Sequence, residues 1–171
     1  ASGGNQPIEA YDLSTLSAEN FDLVPKAIWT SETTVKFFQP PDVTHVSHSI
    51  TNFQNNYARD TPYIEVPTIT LAKLLAKYGL KELELIKLDV EGAETEILYG
   101  MMESGLLPNQ ILVEFDELSL PSRRSRDKFQ ACDQLLREAG YECVYWNGRA
   151  DFAYAHRRLL QKLVAASPTS Q

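Results

Sequence analysis

The chain has 171 residues, a length that corresponds to one globular domain with a sizeable core. Its net charge of −7 and sequence pI of about 5.0 argue against a broad nucleic-acid-binding surface. No stretch approaches the ~18 consecutive apolar residues of a membrane span. Cys132 and Cys143 are too far apart for a CxxC motif and are predicted to be reduced core thiols. We therefore expect a cytoplasmic protein without a membrane span.

The first half of the chain predicts short strands and one long loop. We expect strands at residues 8–11, 25–29 and 34–38. Residues 43–63 are rich in Ser, Thr, Asn, Gln and His, and they predict a polar loop of the length that often carries function. Thr70 is predicted to cap a helix that ends at Gly79.

A strand, a turn and a helix at residues 83–102 dominate the second half. The apolar run at residues 83–90 is typical of a strand that is buried on both faces, as in a parallel sheet. It ends in the acidic turn Asp89-Val90-Glu91-Gly92, after which apolar residues recur with a helical period. Because open α/β sheets bind ligands at the carboxyl ends of their strands, Asp89 and Glu91 are predicted to face a ligand.

The remaining elements continue this alternation. We expect a strand at residues 111–115 with Glu114 and Asp116 near its end, a helix at 125–139, and a hairpin whose strands at 141–145 and 152–154 flank the turn Asn147-Gly148. The pattern predicts an α/β sheet, mostly parallel with an antiparallel C-terminal hairpin. We expect a single domain at residues 1–160 and a loose tail at 161–171.

The central segment resembles a known family signature. Residues 86–94, Ile-Lys-Leu-Asp-Val-Glu-Gly-Ala-Glu, followed by Ile-Leu-Tyr-Gly at 97–100, resemble the signature of the FkbM-type methyltransferases. Segments at 8–12, 24–28, 70–71, 111–114 and 140–151 are similar to further parts of that family in the same order, although Ala72 stands where the family usually has an acid. The resemblance implies a Rossmann-like class I methyltransferase sheet with S-adenosylmethionine as cofactor. It also implies methyl transfer to a hydroxyl oxygen of a small molecule or sugar.

One part of the family pattern has no counterpart. Class I methyltransferases begin with a strand and a glycine-rich loop, whereas the equivalent of their second strand already begins at Ile8. We therefore expect a fragment that lacks the N-terminal strand–helix unit. Two alternatives stay open: a non-catalytic methyltransferase-like module used in recognition or assembly, and a metal-dependent hydrolase that uses Asp89, Glu91, Glu114 and Asp116.

The resemblance also implies residue roles. Cofactor binding is assigned to Asp12 at the ribose hydroxyls, to Ala27 and Ile28, and to Asp89 near the sulfonium. Glu91 is predicted to position or deprotonate the acceptor, and Glu114 to join the same cleft, so that Asp89, Glu91 and Glu114 form the catalytic set. His45 and His48 are alternative general bases, and no His or Cys spacing predicts a metal site. Glu94 and Glu96 are interpreted as acids that favour the helix N-terminus.

Overall fold

A computed structural model describes residues 22–42, 44, 45, 47–119 and 122–166. In chain order these residues form β1 (Ala27–Ile28), β2 (Thr34–Phe38), β3 (Tyr63–Ile69), α1 (Leu71–Lys77), β4 (Leu85–Leu88), α2 (Glu94–Glu103), β5 (Gln110–Glu114), α3 (Arg123–Glu138), β6 (Tyr141–Trp146), β7 (Asp151–His156) and α4 (Arg157–Ala166). Short 3-10 turns lie at Asn52–Asn55 and Asp116–Leu118. The predicted strand at 8–11 and Asp12 lie outside the described residues.

The described strands form two sheets. In the first, β3 lies between β1, to which it is parallel, and β2, to which it is antiparallel. The second has the order β4-β5-β7-β6, in which β4 is parallel to β5 while β7 is antiparallel to both of its neighbours. The α/β class and the hairpin of β6 and β7 are confirmed. The Rossmann-like, mostly parallel order stays a prediction.

The burial predicted for β4 is wrong. Leu85 is 45% exposed and Lys87 is also exposed, whereas Leu88 is buried. The physical reason is that the two faces of β4 differ: Leu85 and Lys87 share one face, whereas Ile86 and Leu88 share the other, which packs on the core. Among the described residues β4 is also the terminal strand of its sheet and pairs with β5 alone.

The hydrophobic core is built on the second sheet and helices α2 and α3. The apolar stripe predicted for α2 is buried, and Cys132 and Leu136 of α3 are buried with it. The ring of Phe115 packs edge to face on Phe129 and Phe152, with ring centroids 5.0 and 5.5 Å apart. Cys132 is buried and Cys143 half-buried, and both are free thiols.

Local caps fix the ends of two helices. The hydroxyl of Thr70 accepts a hydrogen bond from the backbone N–H of Lys73 at 3.2 Å, which confirms the predicted cap of α1. Ser122 and Ser125 form a reciprocal capping box, so α3 begins at Arg123, two residues earlier than predicted.

Helix α4 corrects the predicted tail. Residues 157–166 are helical, although residues from 161 onward were expected to be loose. Leu159 and Leu160 are half-buried, while Leu163 and Val164 are exposed. This i, i+3, i+4 pattern is interrupted by basic residues, which hid it in the sequence. In the described part of the chain no helix combines the length and the apolar character needed to cross a membrane.

Candidate functional site

A cleft of about 750 Å³ lies at the carboxyl ends of β4 and β5. Asp89 and Glu91 follow β4 directly, and Glu114 is the last residue of β5. The two strands are parallel neighbours with Leu88 opposite Val113, so their carboxyl ends meet at the same edge. All of the predicted site residues that the structure describes line this cleft: Ala27, Ile28, Asp89, Glu91 and Glu114. Asp12 lies outside the described residues.

The polar loop between β2 and β3 forms another part of the wall. An antiparallel bridge between Phe38 and Ser49 folds the loop back onto the end of β2. The two backbone hydrogen bonds of this bridge have nitrogen-to-oxygen distances of 2.7 and 3.1 Å. His45, Ser47, His48 and Ile50 thereby line the cleft. The sequence identified this loop as a functional candidate, but the lining residues Lys26, Phe37, Ile50 and Ile64 were missed. They carry no chemical signal, because Phe and Ile are the usual residues of a core and Lys is the usual residue of a surface.

The turn between β4 and α2 has an uncommon backbone. Glu91 has φ +55° and Gly92 has φ +95°, so two consecutive residues are left-handed. For a residue with a side chain this conformation costs about 1–2 kcal/mol, so the surroundings must stabilise Glu91.

The loop at residues 49–53 packs on this turn. The hydroxyl of Ser49 donates a short hydrogen bond to the carbonyl oxygen of Glu91. A Cβ atom on Gly92 would lie 2.8 Å from the hydroxyl oxygen of Thr51 and 3.2 Å from the ring of Phe53. Position 92 therefore needs glycine for its backbone conformation and for the close approach of the loop.

Glu94 holds the same turn from the helix side. It is the first residue of α2, it is fully buried, and its carboxylate accepts N–H bonds from Val90 at 2.9 Å and from Gly92 at 3.0 Å. Burial raises the pKa of Glu94 to about 7, although the hydrogen bonds from the backbone N–H groups lower it. Sequence reasoning assigned Glu94 only a helix-terminus role. That role describes Glu96 better, since Glu96 is partly exposed and lies 2.9 Å from the ammonium nitrogen of Lys128.

Several carboxyl groups interact at this edge of the sheet. Burial raises the pKa of Glu114, and the charges of Asp89, Asp151 and Glu91 raise it further. Burial likewise raises the pKa of Asp116 to about 8, helped by neighbouring carboxylates of which Glu94 is the largest contributor. The carboxylate of Asp89 is half-exposed and accepts a hydrogen bond from Lys87 at 2.6 Å. The result is a negative potential that favours a cation or a hydrogen-bond donor over an anion.

The two histidines of the polar loop, His45 and His48, lie in the same cleft. The Nε2 atom of His45 is 3.7 Å from a carboxylate oxygen of Asp42. Hydrogen bonds from the side chain and backbone of Thr44 lower the pKa of Asp42, so this carboxylate stays charged beside the ring. Among the residues that the structure describes, no three His, Cys, Asp or Glu side chains are arranged to hold a metal ion.

Comparison with known protein families gives one match. A family sequence model described as "Methyltransferase FkbM domain" matches residues 13–143, which is 131 of the 171 residues. The matched segment contains the acidic turn, both histidines and all of the described residues predicted for the site. Neither the comparison with curated proteins nor that with solved structures found a match.

Proposed function

Because the chain belongs to the FkbM methyltransferase domain family, we propose that it takes part in methyl transfer from S-adenosylmethionine to a hydroxyl oxygen of a small molecule or sugar. Family membership supports methyl transfer in general. The finer proposal rests on the convergence of Asp89, Glu91 and Glu114 on one cleft beside Ala27 and Ile28.

The residues of the cleft fit this cofactor. Its volume of about 750 Å³ lies within the range of roughly 300–1,000 Å³ that is usual for cofactor sites. The carboxylates suit a ligand with a positively charged sulfur, and the apolar side chains of Phe37, Ile50 and Ile64 offer a surface for a planar base. When bound, S-adenosylmethionine supplies an electrophilic methyl group.

The chain's own residues account for charge, orientation and the proton. Asp89 provides negative charge beside the cationic centre. Glu91 accepts a hydrogen bond from the amide of Gln54 at 3.3 Å and lines the cleft, where it orients the acceptor hydroxyl. Glu91 would take the proton of the acceptor hydroxyl, and the cofactor would supply the methyl group that this oxygen gains. Glu114, whose pKa is raised by burial and by neighbouring carboxylates, is the second candidate for that proton.

Binding and labelling experiments with the protein test the proposal. Calorimetry with S-adenosylmethionine should show binding, and label from the methyl group should reach at least one member of a panel of hydroxyl-bearing sugars and small molecules. Asp89→Asn should lower methyl transfer by about 10²-fold or more while circular dichroism shows an unchanged fold. The matched control Asp127→Asn changes an exposed aspartate of α3 and should keep full activity.

The outcomes separate the alternatives. Full turnover by Asp89→Asn would place the reaction elsewhere. An absence of any heat of binding with S-adenosylmethionine would refute the cofactor assignment, and a non-catalytic recognition module would then be the better interpretation of the cleft.

A further inference from the structure

Glu94 is fully buried, although an acid that only stabilises a helix N-terminus can do so while exposed to solvent. Its side chain is completely inaccessible to solvent, although charged side chains are almost never fully buried unless they are paired or hydrogen-bonded. Glu96, two residues later in the same helix, has a side chain that is 39% exposed and makes an ordinary ion pair with Lys128. The environment of Glu94 therefore calls for a reason beyond helix stability.

The carboxylate of Glu94 accepts hydrogen bonds from its own backbone N–H and from two residues of the turn that precedes the helix. A capping side chain accepts from backbone N–H groups inside the first helical turn. The N-cap position of α2 is Ala93, which makes no side-chain cap bond, and the carboxylate of Glu94 instead accepts from Val90 and Gly92. These two residues flank Glu91 on either side.

We infer that Glu94 is a positioning residue, which holds the left-handed Glu91 at the cleft through the amides of Val90 and Gly92. The inference rests on the proposed function of that cleft. The hydroxyl of Ser49 donates a hydrogen bond to the carbonyl oxygen of Glu91, so contacts from two different segments fix the left-handed residue. With either contact removed, Glu91 is free to relax toward the right-handed conformation that side chains prefer.

The decisive variant is Glu94→Gln, because it keeps the shape of the side chain. Glutamine has one acceptor oxygen where glutamate has two, so it cannot accept all of the hydrogen bonds that Glu94 accepts. The NH₂ group of the glutamine would face the N–H group of Gly92, and two donors cannot form a hydrogen bond with each other. Glu103→Gln is the matched control, since it makes the same chemical change at an exposed position of the same helix. In the labelling assay, Glu94→Gln should lower kcat by about 10²-fold and leave the KM for S-adenosylmethionine within about twofold of the wild type. Glu103→Gln should change neither value.

A second readout does not depend on activity. In the wild type, the backbone amide signals of Val90 and Gly92 in an NMR pH titration should follow the ionisation of Glu94, and this titration should disappear in Glu94→Gln. Asp116 and Glu117, in the 3-10 turn after β5, are carboxyl groups that interact with Glu94. The variant Asp116→Asn separates the titration of Asp116 from that of Glu94.

These readouts distinguish failure of the inference from failure of the proposed function. A wild type that transfers no label refutes the function, and the amide titration then decides whether Glu94 holds the turn. A kcat of Glu94→Gln equal to that of the wild type, or a loss that only follows the folded fraction, would overturn the positioning role. If Glu94→Gln does not fold, the wild type still tests the positioning role. Amide signals of Val90 and Gly92 that do not change with the ionisation of Glu94 would overturn that role.

Discussion

Replacement of Gly92 by alanine should separate the loop at residues 49–53 from the turn that carries Glu91. Gly92 has φ +95°, and an added Cβ atom would meet the hydroxyl of Thr51 at 2.8 Å and the ring of Phe53 at 3.2 Å. Gly105 provides the control, because it also has a positive φ, +70°, but a Cβ atom there would have no other atom within 4 Å.

The expected cost follows from two separate contributions. Each alanine must adopt a left-handed conformation, which costs about 1–2 kcal/mol, and the effect of Gly→Ala on the unfolded chain is the same in both variants. Gly92→Ala adds an overpacked contact that costs about 1–3 kcal/mol. We therefore expect a loss of unfolding free energy of about 2–5 kcal/mol for Gly92→Ala and about 1–2 kcal/mol for Gly105→Ala.

Urea unfolding of both variants measures this difference, and calorimetry with S-adenosylmethionine measures its effect on the cleft. Gly92→Ala should weaken binding because the displaced loop carries Ile50 and adjoins Ser47 and His48, which line the cleft. Gly105→Ala, at the far end of α2, should bind as the wild type does. Equal losses of stability in the two variants would refute the packing of the loop on the turn.

Two further predictions concern burial. The pKa of Glu94 is raised from 4.5 to about 7, so the folded state keeps a proton that the unfolded state releases. Its contribution to stability is fully present below about pH 4.5 and is lost as the pH rises through about 7. The difference between a pKa of 4.5 and one of about 7 corresponds to about 3 kcal/mol at about 1.36 kcal/mol per pKa unit. Urea unfolding at several pH values should therefore show that the wild type loses unfolding free energy between these pH values, whereas Glu94→Gln does not. Parallel dependences of the unfolding free energy on pH in the two proteins would contradict this prediction. Phe115→Ala removes a fully buried ring from the core and should lower the unfolding free energy by about 3–5 kcal/mol, whereas Leu80→Ala, at an exposed position, should change it by less than about 0.5 kcal/mol. A small effect of Phe115→Ala would mean that the aromatic cluster is not part of the core.

Local patterns in the amino-acid sequence were sufficient for most elements. The five residues predicted for β2 are those observed, Thr70 caps α1, and Asn147-Gly148 joins the predicted hairpin. These features depend on residues close together in the chain, where side-chain period and backbone preference act directly. The acidic turn after β4 was recognised in the same way, and the family match supports the resemblance based on it.

Contacts between distant segments decided what the sequence left open. The exposure of one face of β4 depends on which elements pack against that face, and α4 is amphipathic in a stretch where basic residues obscure the apolar period. His45, Ser47 and His48 reach the cleft only because the loop folds back on β2 and packs on Gly92.

Glu94 shows the difference most clearly. From composition and spacing, it was an ordinary acid at a helix start. Its burial and its bonds to Val90 and Gly92 arise from the way in which the turn closes over the helix end. Sequence spacing determines that an acid stands at position 94, whereas tertiary packing determines whether that acid is solvated or buried, and therefore what it can do.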